Sequence, residues 1–501
     1  MQRLQDAVRR RSVLIACLAG ALHSLAFAPV GLRLLAPTTL ALLFGLWRDA
    51  KPRDAAKIGF AFGAGLFLAG TYWIYHSVHT VAHAPASLAV FLMMGLVVIM
   101  ATYPALLGIA VARFGLAAGT GVGVLALPAG WVLLEWLRGW FLSGFPWLAL
   151  GYATLDTPLA GFVPVVGVYG GSLIVAALAL GLVLLIVGDR RLRLVVAAAT
   201  VGLCALGAGL STVGFTTPTG RHRSVALVQG SIEQDEKWEV ENRDRTFAVY
   251  RTLTEQALGH DLVVWPESAL PVMYHEAVPY LSDIYREAQA RHTDLLLGLI
   301  RYDVERAGYR NGLVALSADE TWYYKRRLVP FGEFFPVPEW VRGWMRGLDL
   351  FYVDFLPGEA NQSALPAAGE WIGATICYED AYAAEQLAVL RQATLLVNVS
   401  NDAWFGDSSA PHQHLEITRM RALEAGRWLM RATNTGITAL IDPKGRVVAR
   451  SPQFVSTVLE GTVEARTGLT PYARFGNAPV LGMCVAWLAL ALFSRRRAQR
   501  S

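Results

Sequence analysis

The chain has 501 residues, 54% of them hydrophobic and only 17% charged. An ordinary globular domain carries about 25% charged residues, so a wholly soluble protein is excluded, and no nucleic-acid partner is expected at a net charge of +5. The four cysteines, Cys17, Cys204, Cys377 and Cys484, show no CxxC or Cys/His ligand spacing, which argues against a zinc or iron–sulfur centre and against a disulfide framework.

A helix needs about 20 apolar residues to cross roughly 30 Å of hydrocarbon. In chain order, eight apolar runs are read as spans: 12–30, 33–48, 56–76, 86–112, 119–137, 160–187, 193–213 and 477–494. Basic groups at Arg9–Arg11, Arg48–Lys57, Arg113, Arg190–Arg193 and Arg495–Arg497 fall on one side of this arrangement. The connections His76–Ser87 and Ser143–Pro158 on the other side hold almost no Lys or Arg. Cytoplasmic loops carry the Lys and Arg excess, so both termini are expected in the cytoplasm. Residues 1–213 then form a seven-span domain, 214–476 an extracytoplasmic domain, and 477–501 a final helix with a basic tail.

The first run has a second reading. Its basic start and Ala26-Phe27-Ala28 fit a cleaved signal peptide, whose loss would leave the other spans in the same orientation. Pro29, directly after that site, favours a retained helix. Further on, Glu135, Arg138, Trp140 and Trp147 interrupt an apolar stretch. They read either as an interfacial aromatic belt with a snorkelling arginine, or as a polar pocket where Arg138 meets a lipid phosphate.

From residue 222 the periodicity changes. Strands are predicted at 224–230, 261–266, 294–301, 311–317, 322–329, 371–377, 394–400, 436–441 and 456–463, and helices at 241–258, 280–291, 381–392 and 414–432. Alternating strands and helices imply an α/β domain.

Three strand ends carry unusual chemistry: Val263-Val264-Trp265-Pro266-Glu267, Trp322-Tyr323-Tyr324-Lys325 and Ile376-Cys377-Tyr378-Glu379. Cys377 is the only cysteine outside the spans, in a compartment where paired cysteines are driven to disulfides. A thiol needs a base, which a carboxylate provides, and an ammonium can lower its pKa and stabilise a tetrahedral oxyanion. Singly, each residue has a plainer reading: Glu267 as a cap, Lys325 as one of three solvated basic residues, Cys377 as core filler. Together they form a complete set for acyl transfer through a thioester.

The order Trp-Pro-Glu267, Lys325 with Glu333 eight residues on, and Cys377-Tyr-Glu-Asp resembles the nitrilase superfamily. Joined to seven preceding spans and one final span, it is similar to the apolipoprotein N-acyltransferase family. The likeness extends to Glu135–Trp147, Val228-Gln229-Gly230 with Lys237-Trp238, Pro330-Phe331-Gly332-Glu333 and Asn398–Gly406. It implies an α-β-β-α sandwich, with Glu267 as general base, Lys325 as oxyanion stabiliser and Cys377 as nucleophile. Glu333 would orient Lys325 or substrate, and Trp238, Tyr378 and Glu379 match positions tied to activity or substrate placement. It also implies an enzyme of the bacterial inner membrane. A phospholipid, with phosphatidylethanolamine as the implied headgroup, gives its acyl chain to the α-amino group of a diacylglyceryl-cysteine lipoprotein.

Residues 331–356 are dense in aromatics, among them Phe331, Phe334, Phe335, Trp340, Trp344, Phe351, Tyr352 and Phe355. Such a loop either packs on the sheet or forms a lid dipping into the outer leaflet, with Trp404 and Phe405 as a second lip. The histidines His412 and His414, and His76, His79 and His83, lack an organised carboxylate or cysteine set, so no metal and no cofactor is expected. Two alternatives use the same residues differently: a membrane-anchored amidase with water as acceptor, or a non-catalytic lipid-binding membrane protein.

Overall fold

The computed structural model describes residues 11–116, 122–234, 236–334, 340–341 and 354–498. The chain divides into two compact units. One comprises Met1–Phe215, Asp407–Met420 and Thr470–Ser501, and the other Thr216–Gly406 and Arg421–Leu469.

The first unit is helical. Among the described residues, three helices are long and apolar enough to cross a membrane: Ala86–Arg113, Pro158–Val187 and Arg190–Leu210. A fourth arises if Pro52–Gly70 and Trp73–Val81, bent by 50°, count as one broken span. By length and composition, three or four of the eight expected spans are candidates among the described residues. Ser12–Ser24 and Leu35–Trp47 are 13-residue helices, about 20 Å long at 1.5 Å per residue. The predicted fifth run yields Ala126–Arg138, also 13 residues, after a single 3-10 turn at Val122–Leu125. Ala478–Ser494 is apolar but short. An apolar run thus overstates helix length wherever turns consume part of it.

Small residues let these helices approach closely. A Cβ on Gly59 would lie 2.3 Å from the Pro104 carbonyl oxygen, and one on Gly65 would lie 2.0 Å from that of Cys17. Between helices in lipid, such backbone contact replaces the hydrophobic drive that water supplies elsewhere.

The second unit holds two six-stranded sheets. The first has the order β12-β1-β2-β3-β4-β5, from β1 (Thr217–Gln229), β2 (Leu262–Val264), β3 (Asp294–Asp303), β4 (Gly308–Leu316), β5 (Glu320–Tyr324) and β12 (Thr457–Thr467). The second has the order β11-β10-β9-β8-β7-β6, from β6 (Leu365–Ala367), β7 (Glu370–Ile376), β8 (Leu395–Ser400), β9 (Leu429–Thr433), β10 (Ala439–Ile441) and β11 (Val447–Arg450). In each sheet three central strands run parallel, β1-β2-β3 and β7-β8-β9, with antiparallel strands outside them.

Strand alternation explains how one sequence serves two layers. Val225, Leu227, Leu262 and Val264 join Ile372, Ala374, Val397 and Met430 in the core between the sheets. Their neighbours Ala226, Val228, Val263 and Trp265 face outward onto Tyr250, Leu253, Leu281 and Ile284 of helices Arg243–Ala257 and Tyr274–Ala290. Burial on both faces is why these strands read as unbroken apolar runs.

Two helix expectations are corrected. The predicted helix 414–432 ends at Ala425, and its last residues form β9. Gly426, at φ +61°, turns the chain out of the helix. The predicted helix 381–392 is broken into one-turn pieces, Ala383–Gln386 and Val389–Arg391. The short outer strands β6 and β11 went unpredicted, being only 3 and 4 residues long.

Candidate active site

Glu267 lies three residues past β2. Its approach is fixed by Trp265 N–H donating to Leu296 O at 2.8 Å and Ala269 N–H to Gly298 O at 2.7 Å. This loop rides directly on Gly298: a Cβ there would lie 2.2 Å from Pro266 O and 2.8 Å from the Glu267 Cα. Gly298→Ala is therefore expected to push Glu267 off its position, costing about 1–3 kcal/mol of stability by overpacking. An ångström of misplacement also lowers turnover about 100-fold. Thermal unfolding and acyl-transfer rates on the purified variant check both.

Lys325 follows β5 directly, its backbone N–H on Asn311 O and its carbonyl accepting from Gly358 N–H, both at 2.8 Å. Cys377 follows β7, and its backbone sits at φ +56°. That left-handed conformation is strained for a residue with a side chain, and Asn398 Nδ2 holds the Cys377 carbonyl at 3.0 Å.

These strand ends converge. Lys325 Nζ donates to Glu267 Oε1 at 2.8 Å and to Glu333 Oε1 at 2.9 Å. Asn311 Nδ2 joins the same two carboxylates at 2.7 and 3.1 Å. The Asn401 N–H completes the set on Glu267 Oε2, and the Val329 N–H on Glu333 Oε2, each at 2.8 Å. Lys325 is 1% exposed, Glu267 5% and Cys377 8%.

Electrostatics set the protonation states. Burial drives the Glu267 carboxyl up, but the Lys325 ammonium and the Asn311 and Asn401 donors outweigh it and hold the group below the usual glutamate value. Burial works against the Lys325 charge, yet Glu267 and Glu333 keep it an ammonium well above the ordinary lysine value. The Cys377 thiol is pushed well up, first by burial and then by the Glu267 charge, against the opposing pull of Lys325. The resting site is thus thiol, carboxylate and ammonium. A buried thiol of this kind is inert by itself, so its reactivity depends on a base that takes the proton during attack.

Glu379 ties two of the strand ends together. Its Oε2 accepts from Ile376 N–H at 2.7 Å and Tyr323 Oη at 3.1 Å, and its Oε1 from the N–H groups of Arg326 and Arg327 at 2.5 and 3.2 Å. Burial raises its pKa despite these donors. Tyr378 donates from its hydroxyl to Leu328 O at 2.8 Å. Beneath Cys377, Asn398 passes the contact on to Arg431, fully buried and paired with Asp402 at 2.8 Å.

Residues 19–181 match the family model described as apolipoprotein N-acyltransferase N-terminal domain, and 224–472 match that of carbon-nitrogen hydrolase. An apolipoprotein N-acyltransferase of Methylococcus capsulatus is 40% identical over 492 residues, covering 97% of each chain. One of Azotobacter vinelandii is 43% identical over 498 residues, covering 97% of this chain and 96% of its own. The chain belongs to the apolipoprotein N-acyltransferase family. Its second unit has the carbon-nitrogen hydrolase fold. Among solved structures, a CN-hydrolase superfamily protein of Xanthomonas campestris is 17% identical with a TM-score of 0.36, over 52% of this chain and 96% of its own.

The remaining predicted positions of this apolipoprotein N-acyltransferase family member divide clearly. Trp238 and Trp404 are 44% and 39% exposed. Of the aromatic loop, Phe331 and Trp340 are exposed, while Phe335, Trp344, Phe351 and Tyr352 lie outside the described residues. Arg138 does not snorkel. It is 4% exposed, donates to Phe145 O and Trp147 O at 2.7 Å, and lies 3.7 Å from Glu135. It lines a cavity with Glu135, His23 and Tyr103, and Trp147 is buried, donating to Gln413 at 2.7 Å.

Sequence reasoning missed Asn311 and Arg431, and it named Asn401 only within the Asn398–Gly406 run, with no role attached. A lone amide inside the apolar strand β4 was the available signal for Asn311.

Proposed function

We propose that this protein transfers a fatty acyl chain from a phospholipid to the α-amino group of a lipoprotein's N-terminal diacylglyceryl-cysteine. The observation that carries this reading is the Lys325 ammonium clasped between Glu267 and Glu333, its charge acting on the Cys377 thiol. As Cys377 Sγ attacks the ester carbonyl, its proton passes to Glu267 and a C–S bond forms. The oxyanion that develops lies against Lys325. Collapse breaks the ester C–O bond, Glu267 returns the proton to the departing glycerol oxygen, and the lysophospholipid leaves. The lipoprotein amine then attacks the thioester, giving its proton to Glu267. The C–N bond forms, the C–S bond breaks, and the sulfur regains the proton as thiol.

In this reading Glu333 and Glu379 are positioning residues for Lys325 and Cys377. Tyr378, Trp238 and Trp404 contribute to substrate placement, the exposed Trp340 to a lipid-facing lid, and Arg138 and Trp147 to a polar pocket within the helices. Residues 1–213, 214–476 and 477–501 act as an N-terminal spanning domain, a periplasmic catalytic domain and a last span. Eight crossings put both termini in the cytoplasm, as the basic clusters favour. Phosphatidylethanolamine is the proposed donor.

The test against an amidase is the fate of the acyl chain. With phospholipid and a diacylglyceryl-cysteine peptide, mass spectrometry is expected to find one added acyl chain on the peptide α-amine. Quantitative release of free fatty acid with an unmodified peptide would place water as the acceptor and overturn the proposal.

A further inference from the structure

The loop before helix Arg243–Ala257 carries a lysine that the reaction above does not use. Lys237 is 1% exposed, and its Nζ has no hydrogen-bond partner. Among the described residues it is the one lysine in that condition. An ammonium brings three donors, and burying it without an acceptor costs several kcal/mol.

Its position is not an accident of a loose loop. Ser231 N–H donates to Asn434 O, and Ile232 N–H to Asn434 Oδ1, both at 3.0 Å. Asn434 Nδ2 reaches Asn401 Oδ1 at 3.0 Å, and Asn401 Nδ2 reaches Gln234 at 2.6 Å. The backbone N–H of that same Asn401 holds Glu267. Lys237 N–H closes the turn on Glu233 O at 3.0 Å. The loop bearing the ammonium is therefore fastened to the residue that fixes the base. Burial lowers the Lys237 pKa to about 8, while the Glu267 charge supports the ammonium.

Of the three donors on the Lys325 ammonium, two are taken by the flanking carboxylates and the mechanism assigns the third to the oxyanion, which leaves none for a phosphate. Lys237 has all its donors free and lies within Coulomb reach of Glu267 without bonding it. A full buried charge discriminates strongly for an anionic oxygen over a neutral one. Of the two substrates proposed above, the donor carries a phosphodiester anion next to its esters, whereas the acceptor presents an amine that a cation repels.

We propose that Lys237 binds the phosphodiester of the acyl donor and so selects phospholipid esters over uncharged ones. The inference rests on the acyl-transfer reading of the site. It makes Lys237 a specificity residue for the first half-reaction.

The test uses the full-length purified protein and measures the rate of acyl-adduct formation on Cys377. The donors are dioleoylphosphatidylethanolamine and the uncharged ester p-nitrophenyl oleate. The quantity read is the ratio of kcat/KM for the two. In Lys237→Met the ratio is expected to fall about tenfold or more, mainly through KM of the phospholipid, and Lys237→Arg is expected to keep most of it. An unchanged ratio in Lys237→Met overturns the proposal. So does equal loss with both donors while Lys237→Arg stays active, because the lysine then serves the thiol chemistry itself. A wild-type protein that forms no adduct from the phospholipid defeats the parent reading instead, and the two failures are thereby told apart.

Discussion

Replacing Cys377 by alanine is expected to abolish acyl transfer, lowering kcat by about 10⁴-fold or more as loss of a nucleophile does in a covalent mechanism. The fold should survive. Cys377 is buried among Ala374, Ile376 and Val399, where a small apolar side chain is tolerated. Alanine also meets the same strain at φ +56° as cysteine. Deleting one sulfur is expected to cost about 1 kcal/mol, within the ordinary range for a modest core truncation. An intact unfolding transition with no product in the peptide assay is the expected pair of results. Transfer at a tenth of the wild-type rate or better would remove the thioester from the mechanism.

Glu267→Gln should separate charge from shape. The amide fills the same space but can neither accept the thiol proton nor balance Lys325, which is left with Glu333 alone. General-base catalysis contributes about 10² to 10⁴ in rate, and a loss in that range is expected. Alkylation of Cys377 by a small electrophile near neutral pH should slow as well, because the thiol is pushed up and relies on that base. Stability falls too: removing one partner from a buried pair costs about 3 kcal/mol at the lower end of the measured range. The pH dependence has a definite sign. The Glu267 pKa is depressed in the folded protein, so its contribution is complete above the ordinary glutamate value. It is lost as pH falls through the lower folded value. The gap in unfolding temperature between wild type and Glu267→Gln should therefore be wide at neutral pH and narrow under acid. A gap that widened under acid would contradict the assigned charge state.

The two halves of the chain were legible in the sequence to different degrees, for identifiable reasons. Glu267 and Cys377 stood out because each follows a largely buried apolar strand, and Lys325 because it ends the aromatic run Trp322-Tyr323-Tyr324. Charge and chemistry at such places are local signals. The groups that fix them are not local: Asn401 reaches Glu267 across 134 positions, and Glu379 reaches Arg326 across 53. No periodicity reports such pairs. β9 was misread because Arg427 and Arg431 look like the polar face of a continuing helix, although both are buried, Arg431 against Asp402. In the helical unit, apolar composition marked where the helices lie but not where turns shorten them, as Ser12–Ser24 and Ala126–Arg138 show. Arg138 was visible as an exception, but its bonds to Phe145 and Trp147 depend on a turn that folds the chain back over it.

The central claim is a transient acyl chain on one sulfur. Mass spectrometry of the purified protein after incubation with phospholipid, without lipoprotein acceptor, measures it most directly. The expected result is a single fatty-acyl adduct mapped to Cys377, released by hydroxylamine as a thioester is, and absent from Glu267→Ala. A wild-type protein that turns over lipoprotein peptide while carrying no adduct on Cys377 at any time point would contradict it.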